Sequence, residues 1–309
     1  MFSTRPRHNF PRICREERGQ AIVLTVVFSF VLLGMASLVL DVGHWYRSKR
    51  DLQAIADAAA LAGAQALPES PSQAAALAAQ YAHDNGGPAP NVSFTSKYIA
   101  NDTIHVEVSR NEPGFFAKVF SIDSVNIGSR ATARTGTLAA AQYAAPFGID
   151  HTHPMLQCHP DPCTDETDLD LQKVGPGAFR ILNIDRSHGG TGTQDLADWV
   201  LKGYGGFMPI DEWYYSDSGA KFNSSNVSDA MNIRLGDELL FPVYDDVRGG
   251  GSNFEYHVIG WAGFVVDSFS GNGNKGKING HFTRFLAQGI QGMPPSEGGF
   301  GTWNVQLVE

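Results

Sequence analysis

Twenty consecutive positions from Ala21 to Leu40, AIVLTVVFSFVLLGMASLVL, carry no charge. At about 1.5 Å of helical rise per residue they reach roughly 30 Å, the thickness of a bilayer's hydrocarbon core. Thirteen of them are Ile, Leu, Val or Phe. Each favours insertion by roughly 0.3 to 0.6 kcal/mol, a sum of about 4 to 8 kcal/mol before positional discounts. The pattern therefore predicts a transmembrane helix over 21–40. A buried core helix would be shorter and carry a polar stripe, whereas here the polar side chains are Thr25, Ser29 and Ser37. A cleaved secretory signal would have an apolar run of about 7 to 15 residues and a small-x-small site. This run ends at Leu40-Asp41-Val42-Gly43 without one, so the segment is expected to stay as an anchor.

Beyond Asp41 the apolar positions Val42, Trp45, Tyr46, Leu52, Ile55, Ala59 and Ala62 recur at helical spacing. The same helix should thus continue out of the membrane. Trp45 and Tyr46, with Arg47, Lys49 and Arg50, are expected at the membrane interface, where a ring with one wet and one apolar end is favoured. The alanines from Ala54 to Ala66 leave a smooth face for a partner helix, and Pro68 ends the run. Ser70-Pro71-Ser72-Gln73 reads as a capped helix start, and Asn85-Gly86-Gly87-Pro88 as the stop of a second alanine-rich helix reaching about His83. An alanine-rich helical region over 41–84 follows from these signals.

The period then shifts from helical to alternating. Val92, Phe94, Ile104, Val106 and Val108 alternate with polar residues around an Asn101-Asp102 turn, the pattern of a hairpin. Pro113 to Phe120 reads as a short amphipathic helix and Ser124 to Thr135 as extended, giving a small α+β module over 85–136. The alanine-rich 137–146 reads as a linker. Over 147–309, strands are expected at 178–184, 238–244, 256–267 and 277–282, with one helix at 193–202, in a β-rich domain. The fold class is α+β: an N-terminal transmembrane helix extended into an alanine-rich pair, a small α+β module, then the β-rich C-terminal domain.

Charge adds orientation. The chain has 23 basic and 32 acidic residues, net −9, with no basic face dense enough to neutralise phosphates, which argues against nucleic acid as a partner. Arg5, Arg7, Arg12, Arg15 and Arg18 precede the span, while Arg47, Lys49 and Arg50 follow it. The excess places a cytoplasmic basic tail at 1–20 and the bulk of the chain outside. Cys14 then sits in a reducing compartment, and Cys158 and Cys163 are expected to pair as a local disulfide.

The rival use of that region is zinc, held by His151, His153, Cys158, His159 and Cys163, but the spacing fits no standard finger or ribbon. The acidic run Asp161, Asp165, Glu166, Asp168 and Asp170 lacks the central glycine of a calcium loop and reads as a solvated surface. Gly189-Gly190-Thr191-Gly192 and Gly249-Gly250-Gly251 lack the Lys-Ser/Thr of a phosphate loop. No Gly-x-Ser-x-Gly or His-Glu-x-x-His motif is present, so no catalytic, cofactor-binding or metal residue is assigned and no enzyme is expected. The aromatics Trp213, Tyr214 and Tyr215 offer either a docking surface or core.

The order of elements is more specific than any one residue. ERGQ, the apolar span, Asp41-Val42-Gly43, Trp45-Tyr46, Arg47-Ser48-Lys49-Arg50 and LQAIADAAALAGA together resemble the N-terminal domain of the TadG-like and TadE-like proteins of Flp (tight adherence) pilus systems. The likeness covers about Glu17 to Leu67, and the later hairpin, PGFF and Ala131-Thr132-Ala133 are similar to its continuation. The resemblance implies a single-pass inner-membrane protein acting in pilus assembly, with pilus-assembly or pilin-like partners met through the alanine-rich helix and outer domain, and it brings no catalytic residues. Prepilin-type cleavage is not expected, because Glu16 and Glu17 precede Gly19. Asp185-Arg186-Ser187-His188-Gly189 and Asp267-Ser268-Phe269-Ser270 both miss the metal motif that some relatives carry. The alternative reading is a surface protein that binds a ligand or carbohydrate, or less favourably an extracytoplasmic hydrolase.

Overall fold

The computed structural model describes residues 18–158, 161–187, 190–250, 253–292 and 299–308. Two helices lead, α1 (Arg18–Ala64) and α2 (Pro71–Asp84), followed by β1 (Asn91–Thr95), β2 (Thr103–Pro113), β3 (Ser124–Gly136) and β4 (Leu138–Ala141). Then come β5 (Phe147–Asp150), β6 (Thr167–Asp170), β7 (Phe179–Asn183), α3 (Thr193–Lys202), β8 (Met208–Pro209), β9 (Glu212–Ser216) and α4 (Ser225–Ile233). The chain closes with β10 (Glu238–Arg248), β11 (Glu255–Asn272), β12 (Lys275–Thr283), β13 (Phe285–Leu286), β14 (Gly289–Gln291) and β15 (Thr302–Leu307). Contacts divide it into two units, one running through Leu52 and including Ser109–Ser129, the other made of Gln53–Val108 and Arg130–Glu309.

In the first unit, every large apolar side chain from Ile22 to Leu40 is exposed. A core helix would bury one face. Instead α1 is long and apolar enough to cross a membrane. Its few polar side chains do not spoil that surface, because Thr25, Ser29 and Ser37 each donate a hydroxyl to the carbonyl four residues back, at 2.8, 2.8 and 2.6 Å. Each of the three hydroxyls is thereby satisfied within the helix, as lipid requires.

In the second unit, α1 turns amphipathic. Ile55, Ala56, Ala59, Ala60 and Gly63 form a buried stripe. The helix α2 presents Ala74, Ala78 and Ala82 at four-residue spacing, all fully buried. A Cβ on Gly63 would lie 2.5 Å from Ile104 Cδ1 and 2.9 Å from the Ala74 carbonyl, so the small residues let the two helices and β2 approach closely. Ser70 caps α2 by accepting from the Gln73 N–H at 3.3 Å, and Pro71 occupies the first turn, as the sequence predicts. The corner between the helices is tied by Arg284, whose Nη2 donates to the Gln65 and Leu67 carbonyls at 2.9 and 2.8 Å and whose Nη1 pairs with Glu69.

Three sheets complete this unit, in the orders β1-β2-β3-β15-β13, β10-β5-β7-β9-β11-β12-β6 and β14-β4-β8. Leu196, Ala197 and Val200 of α3 and Val227, Ala230 and Met231 of α4 share one core with strand residues of the seven-stranded sheet. Phe147 is the hub of that core, edge-on to Phe179, Phe222 and Phe241 at 6.0, 5.9 and 5.4 Å. A second core gathers Leu138, Ala141, Met208, Tyr214, Leu240 and Trp261.

Several expectations need correction. Residues 137–146 are no linker: Leu138, Ala140 and Ala141 are buried, and β4 pairs with both β14 and β8. Alanine has weak strand preference, but its small side chain is what a strand buried between close neighbours requires. The C-terminal β15 pairs antiparallel with β3, from Asn304↔Gly136 to Leu307↔Ala133, so one sheet joins the expected α+β module to the end of the chain. Pro113 to Phe120 holds only a 3-10 turn at Ala117–Phe120 rather than an amphipathic helix, since Pro113 and Gly114 leave too few residues to propagate one.

Candidate functional site

The functional question centres on where the apolar run stops. Asp41, 1 % exposed, is the first charged residue past it. Its carboxylate accepts from the backbone N–H groups of Phe115, Phe116 and Ala117 at 3.1, 2.9 and 2.6 Å. Three converging donors make a cradle that an anion fills, and the resulting charge-assisted bonds are stronger than neutral ones. The loop that supplies them closes on itself: Gly114 N–H donates to the Asp123 carbonyl at 3.0 Å and Ile122 N–H to that of Ala117 at 3.1 Å. A Cβ on Gly114 would lie 2.6 Å from the Ile122 carbonyl, and Ser121 adopts a left-handed φ of 62°, so the closure depends on Gly114.

One turn along α1 the same face continues. Trp45 Nε1 donates to the Pro113 carbonyl at 3.2 Å. Ser48 donates to Glu112 Oε1 at 2.6 Å, and His44 Nε2 lies 3.2 Å from Glu112 Oε2. The Ser48 bond first, and His44 after it, hold the Glu112 carboxyl below its ordinary value of 4.5 against the upward push of burial. Lys49 Nζ donates to the Gly128 carbonyl, and Ser129 donates to that of Lys49 at 3.2 Å. Positions 41, 44, 45, 48 and 49 thus form a polar collar on one face of α1, at helical spacing directly past the apolar run.

The expected interface residues divide accordingly. Trp45 and Lys49 are engaged in the collar, while Tyr46, Arg47 and Arg50 are exposed. The sequence singles out neither His44 nor Glu112, and it marks Asp41 and Ser48 only as the end of the apolar run and as parts of the family pattern, not as contacts. The available signal was the polar spacing 41, 44, 48 directly after the apolar run. The loop itself carries Phe115, Phe116, Val119, Phe120 and Ile122, all exposed.

Elsewhere, Cys158 and Cys163 are joined as a disulfide, with Cα atoms 5.3 Å apart. His153 is buried: its Nδ1 accepts from the Met155 N–H at 3.2 Å, its Nε2 lies 3.3 Å from Thr167 Oγ1, and its ring meets Phe282 edge-on at 5.1 Å. Burial first, and the charge of Lys173 next, push its pKa below 6.5. His159, Cys14, the arginines before Arg18, His188 and Gly189 lie outside the described residues. Among the described residues, no three His, Cys, Asp or Glu are gathered to hold a metal. In the acidic run, Asp161 accepts from Trp303 Nε1 at 3.2 Å and Asp168 from Asn279 Nδ2 at 3.0 Å.

The alanine-rich face expected to receive a partner helix is filled by the chain's own α2 and β2, through the contacts around Gly63. Trp213, Tyr214 and Tyr215 lie on β9, an interior strand, with Tyr214 fully buried and Trp213 under the Arg248 guanidinium at 4.1 Å. A cleft of about 940 Å³ bordered by Arg180, Tyr215, Asp217, Lys221 and Tyr256 is the best candidate for a small-molecule site. Its cations are already engaged: Arg180 donates to the Leu171, Phe179 and Lys173 carbonyls at 2.9, 2.7 and 2.5 Å, and Lys221 pairs with Asp217 at 2.5 Å.

Comparison with known proteins points to the same end of the chain. Residues 19–66 match the family model described as "Putative Flp pilus-assembly TadE/G-like". That stretch contains the span, the α1 side of the collar and the alanine-rich stripe. No curated protein and no solved structure matches the chain. The matched domain supports a role in pilus assembly and association with a membrane.

Proposed function

We propose that the chain is a membrane-anchored, extracytoplasmic component of Flp-type pilus assembly that works by anchoring and docking rather than catalysis. The observation that carries this reading is the abrupt change along one helix. The apolar surface of 21–40 is wholly exposed, and from Asp41 onward one face of the helix is packed against its own chain. Lipid is the solvent that suits the first part and water the second. Continuity of α1 through Asp41 also argues against removal of the span as a leader. Cleavage there would separate the collar from the helix that organises it. The five arginines before or at the start of the span, against three basic residues after it, support a cytoplasmic N-terminal tail with the sheets outside.

Deletion of the gene in its host tests the assignment. Loss of surface fibres, restored by the full chain and not by a chain lacking 21–40, is expected. Fibres of normal number in the deletion strain would remove the pilus role, and reporter activity confined to the cytoplasm when fused after Glu309 would reverse the orientation.

A further inference from the structure

We infer that the loop 114–122 is a second membrane contact, an apolar finger seated in the headgroup region of the bilayer beside the span. The inference rests on the reading of 21–40 as membrane-spanning. Within eight positions, 115 to 122, the loop places Phe115, Phe116, Val119, Phe120 and Ile122 at 62, 44, 83, 67 and 43 % exposure. Contiguous exposed apolar side chains mark a surface that is covered when the protein works. They are not needed to close the loop, which is held by the Gly114 and Ile122 backbone bonds and by Asp41.

The height of the finger identifies what covers it. Its backbone is bonded to Asp41, one residue beyond the end of the apolar run, so the loop emerges at the boundary between hydrocarbon and headgroups whatever else the protein binds. His44, one turn outward, holds the Phe115 ring edge-on at 5.6 Å. The loop's one charged side chain is Lys118, the sign that anionic headgroups attract. Interfacial elements of this kind set large apolar side chains at the acyl boundary and keep their polar groups outward. With the span alone, the protein could rotate and tilt about a single rod. Two contacts at one level would fix its rotation relative to the membrane plane.

The test uses the full chain, one copy per lipid nanodisc containing anionic lipid, with Cys14→Ser and the Cys158–Cys163 pair left oxidised. A nitroxide is attached at Val119→Cys, at Phe120→Cys and, for reference, at Leu32→Cys. Collision with oxygen, which partitions into lipid, is compared with collision with a water-soluble nickel chelate. Oxygen should exceed nickel several-fold at Val119 and Phe120, to a smaller degree than at Leu32. Nickel in excess at both loop sites with Leu32 still in lipid overturns the finger and leaves the anchor standing. Low collision with both reagents shows a protein cover and equally overturns it. A nickel-accessible Leu32 label removes the anchor and the finger with it.

Discussion

Asp41 places one negative charge at the first position past an uncharged run of twenty, where a carboxylate has few sources of solvation. The three N–H donors from Phe115, Phe116 and Ala117 take the place of water. Asp41→Ala removes all three bonds and leaves the donors to find other partners, at a cost of about 2 to 4 kcal/mol. The expected readout is local: faster chymotrypsin cleavage at Phe115, Phe116 or Phe120 in detergent, with the seven-stranded sheet unaffected. Unchanged cleavage would show that the loop holds its shape without the carboxylate. The charge was legible in the sequence as the end of the span, but its partners were not.

At the scale of elements, helix starts and stops follow the sequence where their signals are local. Helix α3 occupies Thr193–Lys202 as expected from its period, and α2 begins at the Ser70 cap. Helix α4, SNVSDAMNI, is not legible in the sequence because serine, asparagine and aspartate favour caps and turns over helix interiors. Its helix is secured by burial of Val227, Ala230 and Met231 in the aromatic core. Two glycines of α1 separate propensity from packing. Alanine for glycine in a helix gains about 1 kcal/mol in isolation. A Cβ added to Gly43 would meet nothing within 4 Å beyond its own helix backbone, so Gly43→Ala should be neutral or stabilising. At Gly63 the added methyl meets the Ala74 carbonyl at 2.9 Å. Overpacking of about 1 to 3 kcal/mol should therefore reverse the sign in Gly63→Ala. Denaturant unfolding of the two variants checks this, and equal shifts would refute the close approach of α1 to α2.

For the whole molecule, three buried groups weaken the fold in acid. His153 has a folded pKa below its ordinary 6.5, so the unfolded chain takes up the proton first and stability falls as pH drops through 6.5 toward the folded value. Asp102 is pushed up by burial, but the Thr103 hydroxyl and the N–H groups of Tyr98, Lys97 and Ile99 outweigh this and leave it below 3.8. Glu112 likewise sits below 4.5. The stability these two carboxylates supply is complete above their ordinary values and is lost as pH falls through their folded ones. The His153 contribution to melting temperature should thus decline below pH 6.5 and that of the two carboxylates below pH 4.5, while Glu69, whose carboxyl burial pushes up to about 7, acts the opposite way between pH 7 and 4.5. His153→Asn, which keeps a cap acceptor, should flatten the first decline, and Glu112→Gln the second. A His153→Asn profile that runs parallel to the wild type between about pH 7 and 5 would contradict the buried neutral imidazole. None of these environments could be read from the chain, because each is built by segments that meet only after folding. The sequence by itself determined the apolar helix, the breaks of the helix pair and seven of the fifteen described strands, since apolar length, period, caps and Pro-Gly stops act within a few residues. Tertiary structure alone decided which face of α1 is wrapped beyond Asp41, that residues 74 to 76 positions away would cradle its carboxylate, and that β15 would join β3. Such contacts depend on closing long stretches of chain, and no local pattern encodes which distant backbone will arrive.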